Sequence, residues 1–255
     1  MVQQLVKKAF RAMGIDIRRA SSADYKPPVE FSRVDLDVFR YVTENKLTMV
    51  SPEGVAVAIT ACKYAAGSAI EGDFVECGVW RGGVSIAAKM IFEAYGSDKK
   101  VWLFDTFAGM TEPTDVDRGL ILGEDSFELF KKNRRKGHVD WCYASLESVR
   151  GNFERAGVDL GGVRFIKGDV CETLGDERYL PEAISVLRLD TDFYESTKKE
   201  LEVLYPRLSP KGTLLIDDFG YWEGARKAVE EYFELRADRP LLFPTDRCTR
   251  AGVKP

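Results

Sequence analysis

From residue 74 onward, short apolar runs alternate with longer segments that have helical periodicity. The apolar runs cover residues 74–77, 101–104, 163–166, 185–189 and 213–216. The helical segments cover residues 84–95, 127–136, 146–156, 197–204 and 224–235. Such alternation is typical of βαβ units, so we predict an α/β fold with a Rossmann-like parallel sheet and helices on both faces. Residues 240–255 are compatible with a last pair of strands.

The N-terminal part of the chain has a different pattern. Apolar residues at helical spacing predict a short basic amphipathic helix at 2–13, followed by an extended linker at 21–31 and a helix at 36–47. Ser51 followed by Pro52 marks the start of a further helix that reaches about residue 66. We therefore expect an N-terminal helical extension over 1–50, serving as an oligomerisation or lid segment, and one main domain over 51–255.

Composition excludes several classes of protein. The net charge of −4 gives no electrostatic basis for nucleic acid as the main partner. No apolar run is long enough for an integral membrane segment. The 5 cysteines contain no C-x-x-C pair, which argues against a disulfide framework or a zinc site and favours a reducing cytoplasm. The single histidine, His138, lies in a basic run, so Ser-His-Asp chemistry is not favoured.

The first predicted strand runs into a glycine turn at residues 76–83, with the sequence ECGVWRGG. Ligands of open α/β sheets bind at the carboxyl ends of the strands, so this turn borders the expected crevice. A dinucleotide fold needs a second glycine two residues after the first, but Val79 and Trp80 fill that space. The turn is therefore predicted to suit a ligand without phosphates, with Gly78 beneath it.

Aspartates follow the next two strands. Asp105 ends the second strand, where its carboxylate can accept both hydroxyls of a ribose. Asp169 follows the third strand, where it can accept from an adenine amino group. The turn and the two acids together predict a nucleoside lying across three strand ends. Each aspartate is also a common helix cap or turn former, and that structural alternative stays open.

Two aspartate pairs follow the fourth and fifth strands: Asp190 with Asp192, and Asp217 with Asp218. If these strands are neighbours, four carboxylates converge. At an effective dielectric near 20, two charges about 4 Å apart repel by roughly 4 kcal/mol, so the cluster is predicted to hold a cation. Asp190, Asp217 and Asp218 would leave half of an octahedral magnesium shell open, and Asp192 is assigned as the general base. Strand pleating places Asp190 and Asp192 on one side. The alternative is that both pairs are turn residues or caps.

The segment 106–124 is long, polar and glycine-bearing. Long loops inside compact domains are usually functional. We predict a mobile loop that closes over the sheet edge as a lid.

These motifs together resemble those of the macrocin-type sugar O-methyltransferases. The resemblance covers residues 31–233 and is carried by LTMVSPEG at 47–54, FVECGVWRGG at 74–83, LFDTFAGMTEP at 103–113, LRLDTDFYEST at 187–197 and GTLLIDDFGYWEGARKAVEEYF at 212–233. The glycine turn with the downstream DTD and IDD motifs is much more specific than a generic methyltransferase glycine motif.

The resemblance implies a class I methyltransferase fold, S-adenosylmethionine as methyl donor, a magnesium ion, a sugar-containing small-molecule acceptor and a homo-oligomer, dimeric or larger. It gives Asp192 as the base, Asp190, Asp217 and Asp218 as metal ligands, and Met49, Glu76, Gly78, Ser85, Asp105 and Asp169 as donor contacts. Met49 and Ser85 rest on the resemblance alone.

Three other functions are compatible with parts of the sequence. A catechol-type small-phenol O-methyltransferase would use the same metal chemistry on an aromatic diol. A hydride-transfer enzyme is disfavoured because Val79 and Trp80 crowd the pyrophosphate position. A ligand-sensing protein without turnover would have no need to keep four mutually repelling acids.

Overall fold

The computed structural model describes residues 25–121 and 123–255, so the helix predicted at 2–13 lies outside the described residues. The strands of the described part are β1 (Asp73–Cys77), β2 (Val101–Asp105), β3 (Val163–Lys167), β4 (Ile184–Leu189), β5 (Leu208–Ile216), β6 (Phe243–Pro244) and β7 (Arg250–Val253). Each predicted apolar run lies within one of these strands. The last pair of strands is also present.

The strands form one sheet in the order β3-β2-β1-β4-β5-β7-β6. Strands β1 to β5 pair in parallel, whereas β7 runs antiparallel to β5 and β6 antiparallel to β7. The order reverses between β1 and β4, which is where a parallel open sheet forms its ligand crevice. The predicted α/β fold is confirmed.

The helices of the described part are α1 (Arg33–Glu44), α2 (Pro52–Gly67), α3 (Gly83–Ala94), α4 (Ser126–Asn133), α5 (Leu146–Ala156), α6 (Val170–Thr173), α7 (Tyr194–Leu204) and α8 (Glu223–Phe233). All but the one-turn helix α6 were predicted. Helix α1 begins before its predicted start because Ser32 and Asp35 form a capping box, in which each side chain accepts from the other's backbone N–H.

Helix α4 ends earlier than predicted. Arg134 forms an isolated β-bridge with Val139, and Gly137 turns the chain at φ 89°. The basic run is therefore divided: Lys131 and Lys132 lie in the last turn of the helix, and residues 134–138 form a short hairpin-like turn.

Alternate strand residues divide the core into two layers. Phe74, Val186 and Leu215 belong to the layer beneath α1, α2, α3 and α5. Val75 and Leu187 belong to the opposite layer, beneath α6, α7 and α8. Both faces of the sheet are thus covered by helices, as predicted. Helix α1 contributes to the first of these layers. The division predicted at residue 50, between an N-terminal extension and the main domain, stays a prediction.

The loop after β2 is anchored, in contrast to the mobile lid that was predicted. Asp117 in this loop is fully buried, and its carboxylate accepts from the backbone N–H of Tyr194 at 2.8 Å. The backbone N–H of Leu120 donates to Tyr221 O at 2.7 Å, and Gly119 forms a β-bridge with Trp222. These contacts fix much of the loop against the start of α7 and the β5–α8 connection.

Across the described residues, no helix has the length and apolar character needed to cross a bilayer.

Candidate functional site

The glycine turn after β1 lies against the end of β4. Gly78 has φ 80°, and a Cβ at this position would lie 1.9 Å from the backbone oxygen of Asp190. The backbone N–H of Asp190 donates to Cys77 O at 2.9 Å. Only glycine fits here, because the backbone conformation is left-handed and the neighbouring chain is too close for a side chain. The turn and the first aspartate pair therefore form one rigid unit.

Asp105 holds the glycine turn through backbone hydrogen bonds. Its Oδ2 accepts from the N–H of Val79 at 2.7 Å and of Trp80 at 3.3 Å, and its Oδ1 accepts from the N–H of Phe107 at 2.6 Å. Burial raises the pKa of Asp105, and the bonds from Val79 and Phe107 oppose that rise. A carboxylate has about four acceptor positions, so about one remains for a ribose hydroxyl rather than the two that we expected.

A first cleft lies over the ends of β1, β2 and β3. Met49, Gly78, Asp105 and Asp169 line it, as predicted for a nucleoside site. Asp169 also caps α6, because its Oδ1 accepts from the N–H of Cys171 at 2.8 Å. Its functional and capping roles are compatible, since one carboxylate oxygen is enough for the cap.

A second cleft, the acidic cleft, lies over the ends of β4 and β5. These strands are neighbours and pair with Leu189 opposite Ile216, so the condition for the two aspartate pairs to emerge side by side is met. Asp190, Asp192, Asp217 and Asp218 all line this cleft. The route of Asp192 differs from the prediction, because β4 ends at Leu189 and Asp192 has φ 72°. A left-handed turn, not strand pleating, brings its side chain to the cleft.

Three of the four carboxylates form a compact group, which we call the carboxylate triad: Asp190, Asp192 and Asp218. One oxygen from each lies within 4.8 Å of the others. The side chain of Asp217 is directed elsewhere, since its Oδ1 accepts from Thr249 Oγ1 at 3.0 Å and lies 3.1 Å from Arg188 Nη2. The predicted ligand set of Asp190, Asp217 and Asp218 is thus only partly brought together.

The carboxylate triad fits a hard divalent cation. Oδ2 of Asp218 is buried and has no hydrogen-bond partner among the described residues. Converging carboxylate oxygens of this kind are the ligands that magnesium prefers, and an unpartnered buried oxygen gains most from a cation. The donor set therefore fits the predicted magnesium ion.

Burial and mutual repulsion alter the acidity of the triad. Burial raises the pKa of Asp192 to about 7, with Asp190 adding to the rise and the hydrogen bond with Asp218 opposing it. Burial also raises the pKa of Asp190 and of Asp218 well above the ordinary value. Carboxylates in this state accept protons near neutral pH, which suits a general base.

The sequence analysis missed Arg188, whose side chain lies beneath the triad and is 3% exposed. Its Nη1 donates to Asp190 Oδ2 at 2.6 Å and to Glu76 Oε1 at 2.7 Å. A charged residue inside the apolar run of β4 was the available signal, because such a residue is rarely buried without carboxylate partners. Arg188 supplies part of the positive charge that we had assigned wholly to a bound cation.

Two of the predicted donor contacts lie apart from the first cleft. Glu76 is 1% exposed and lines the acidic cleft. Ser85 is fully buried on α3, lines neither cleft, and donates from Oγ to Glu76 Oε2. In this conformation Ser85 supports Glu76 rather than facing a ligand.

The two clefts meet at a shared set of side chains. Met49, Trp80, Cys142, Asp190 and Asp192 line both of them. A group passing from one cleft to the other would therefore cross directly beside the two acids.

Aromatic rings also line the acidic cleft, which has a volume of about 390 Å³. The ring centroids of Trp141 and Trp222 lie 5.9 Å apart, and those of Tyr221 and Trp222 lie 5.2 Å apart. Phe193 packs behind them, 5.5 Å from Trp222. The cleft is thus lined both by acids and by a cluster of packed aromatic rings, which we call the aromatic wall.

The family model of macrocin O-methyltransferases (TylF) matches residues 34–249. This range contains every site residue predicted from the sequence, from Met49 to Asp218. The resemblance inferred from the motifs is therefore confirmed.

Two curated relatives are also similar to this chain. One is 8-demethyl-8-(2,3-dimethoxy-alpha-L-rhamnosyl)-tetracenomycin-C 4'-O-methyltransferase of Streptomyces olivaceus, 40% identical over 168 residues, which are 64% of this chain and 58% of that protein. The other is mycinamicin III 3''-O-methyltransferase of Micromonospora griseorubida, 38% identical over 179 residues, which are 70% of this chain and 66% of that protein. The matches thus span less than two thirds of the length of these relatives.

A solved structure is also similar. The O-methyltransferase NovP superposes with a TM-score of 0.67 at 31% sequence identity, and the match covers 81% of each chain. The class I methyltransferase fold predicted from the motifs is confirmed by this similarity and by the strand order.

Proposed function

The chain belongs to the macrocin O-methyltransferase (TylF) family, and we propose that it transfers a methyl group from S-adenosylmethionine to a hydroxyl of a sugar or glycosylated small molecule, with magnesium as cofactor. The observation that carries this proposal is the junction of the two clefts. Asp190 and Asp192 line both, so a donor in the first cleft and an acceptor in the acidic cleft would meet beside a base.

The chain's own residues would do most of the work by positioning. Gly78 and Asp105 would hold the donor nucleoside, Asp169 its adenine, and Met49 would cover it. The aromatic wall would orient the acceptor, and the junction would exclude water from the transfer path. Asp192 would accept the proton of the attacking hydroxyl, since its carboxylate lines both clefts at their junction.

Magnesium would be held at the acids after β4 and β5. A bound magnesium ion would supply a Lewis acid that lowers the pKa of a coordinated hydroxyl. We propose Asp190 and Asp218 as ligands, because both belong to the carboxylate triad. Asp217 would join them as a third ligand only by leaving Thr249 and Arg188.

A sugar-bearing acceptor is supported by the relatives and by the shape of the acidic cleft. The Streptomyces olivaceus relative is named as a methyltransferase of a rhamnosyl-bearing compound. Trp141 and Tyr221 line this cleft together with the aspartates, so aromatic rings would be available to the apolar side of a sugar ring and carboxylates to its hydroxyls. We also propose that the protein works in a reducing cytoplasm, since its five cysteines are unpaired. We further propose that it forms a homo-oligomer.

The test is methyl transfer by the purified chain from labelled S-adenosylmethionine to a panel of rhamnosides and other glycosides, with catechols as the comparison. Transfer to glycosides that stops with a chelator and returns with magnesium would support the whole proposal. If the enzyme methylated catechols in preference to glycosides, catechols would replace glycosides as the proposed acceptor class. Methyl transfer that persists in the presence of a chelator would contradict the proposed role of magnesium. A chain that does not bind S-adenosylmethionine would contradict the proposed methyltransferase function. Light scattering of the same sample would test the oligomer.

A further inference from the structure

Arg188 connects acids that belong to three neighbouring strands. It lies opposite Glu76 in the register of β1 and β4. Its Nη1 donates to Glu76 at 2.7 Å and to Asp190, which follows β4, at 2.6 Å. Its Nη2 lies 3.1 Å from Asp217, which follows β5. One guanidinium thus contacts a carboxylate at each of three adjacent positions along the sheet edge.

The partners of Arg188 are themselves held by hydroxyl groups. Ser85 donates to the second oxygen of Glu76, and Thr249 donates to Asp217 at 3.0 Å. Ser85 and Thr249 are both buried. The network therefore runs from α3 through β1, β4 and β5 to the start of β7, with Arg188 at its centre.

An arginine reaches these acids through two terminal nitrogens: Nη1 makes both hydrogen bonds, and Nη2 lies 3.1 Å from Asp217 without a hydrogen bond among the described residues. A guanidinium is planar, always charged and carries five donors in a fixed fork, whereas a lysine ammonium is a point charge on a flexible stem. Neutralising Glu76 alone would need just one of these contacts. Those to Asp190 and Asp217 fix acids that line the acidic cleft, so the network does more than compensate a buried charge.

We propose that Arg188 is a positioning residue that fixes Asp190, a member of the carboxylate triad, in place before a divalent cation binds, while it holds Asp217 beside the triad. The inference rests on the proposed function, because it concerns the same cation. A lysine at this position keeps the charge beside Glu76 and loses the fork. The substitution Arg188→Lys therefore separates positioning from simple neutralisation.

The experiment is calorimetric titration of the full chain with magnesium chloride and, separately, with S-adenosylmethionine, together with thermal unfolding. We expect Arg188→Lys to weaken magnesium binding at least tenfold and to leave donor binding within about twofold. Arg207→Lys is the matched control, since Arg207 pairs with Glu177 at 2.6 Å and lines neither cleft. It should change neither affinity.

If Arg188→Lys does not fold, the charge-balanced pair Glu76→Gln with Arg188→Gln replaces it, and the same loss of magnesium binding is expected. Unchanged magnesium affinity in a folded variant would overturn the inference and leave the proposed function intact. If Arg188→Lys lost the same share of its affinity for magnesium and for S-adenosylmethionine and also melted at a lower temperature, Arg188 would have only a structural role. That result would overturn the inference as well. A wild type that binds the donor but no divalent cation would overturn the inference and the magnesium part of the function. A wild type that binds neither would overturn both.

Discussion

The two clefts are built from similar residues in opposite ways. In the first cleft, Asp105 receives three backbone N–H groups and Asp169 caps a helix, so both carboxylates have partners. In the acidic cleft, three carboxylates lie together, Asp192 has a left-handed backbone, and one oxygen of Asp218 has no partner among the described residues. One site is complete without a ligand, whereas the other concentrates unfavourable charge.

That difference separates binding from chemistry. A site whose polar groups are already satisfied is rigid and can hold a ligand in a fixed place. A site with repelling, partly buried acids gains free energy when a cation or a proton arrives, and raised carboxylate pKa values are typical of groups that transfer protons. The structure thus favours positioning of the donor in the first cleft and proton transfer in the acidic cleft.

The strongest test of this contrast is Asp192→Asn. The amide keeps the shape of the side chain but cannot accept a proton, so we expect kcat to fall about 10³-fold, within the range for loss of a general base. Donor affinity should stay within about twofold, measured by calorimetry beside the kinetics. Asp159→Asn is the control, because Asp159 is an exposed cap that lines neither cleft. A kcat within tenfold of wild type would remove Asp192 as the base.

Glu200 tests whether a raised pKa alone marks a functional acid. It is fully buried on α7, where it accepts from Thr191 Oγ1 at 2.8 Å, and it lines neither cleft. Burial raises its pKa from 4.5 to about 8. The unfolded chain ionises Glu200 above pH 4.5 while the folded chain keeps the proton, so the stability that this group contributes is complete at low pH and is lost as the pH rises towards 8.

We therefore expect the free energy of unfolding of the wild type to fall by about 3 kcal/mol between pH 5 and 8 through this group, and Glu200→Gln to remove that fall. Urea unfolding at several pH values measures it. Glu231→Gln, at an exposed position, is the control. An identical pH dependence in Glu200→Gln and wild type would show that Glu200 ionises normally in the fold.

The substitution Asp105→Ala tests the donor-binding role of the first cleft. Three backbone N–H groups lose their acceptor, so we expect donor affinity to fall at least 30-fold and the protein to lose about 2 kcal/mol of stability. Asp73→Ala is a matched control at the other end of β1, where Asp73 accepts from Lys100 N–H and Trp102 Nε1. It should lower stability and leave donor affinity unchanged. Equal donor affinity in the two variants would remove Asp105 from the donor site.

The contrast also explains what the sequence could and could not predict. Strands, most helices and the acids at strand ends follow from local periodicity and from the rule that parallel strands end together. The same rule brings Asp190 and Asp217 together on the condition that their strands are neighbours, and the structure meets that condition. These residues lie close to the glycine turn or to an apolar run, so short-range sequence patterns were sufficient to predict where they lie in the fold.

The failures involve partners that are distant in sequence. Asp117 fixes the loop by accepting from Tyr194, 77 residues away, so nothing local distinguished an anchored loop from a mobile one. Arg188 meets Glu76 across 112 residues, and its second contact, with Asp217, holds that acid outside the triad. The turn at Asp192 depends on contacts around it, because a non-glycine residue does not adopt positive φ unaided.

The smallest effect we expect is at Asp169, where the capping and ligand-binding roles can be separated. Asp169→Asn keeps an oxygen for the N–H of Cys171 and loses the charge, so stability should hold while donor affinity falls about threefold, as for one hydrogen bond that loses its charged acceptor. Asp169→Ala should add about 1 kcal/mol of destabilisation, since the cap is lost too. Calorimetry and thermal unfolding of both variants measure the two effects. If Asp169→Asn binds the donor like wild type while Asp169→Ala is destabilised, Asp169 is a cap alone, and the adenine must be held by other residues of the first cleft.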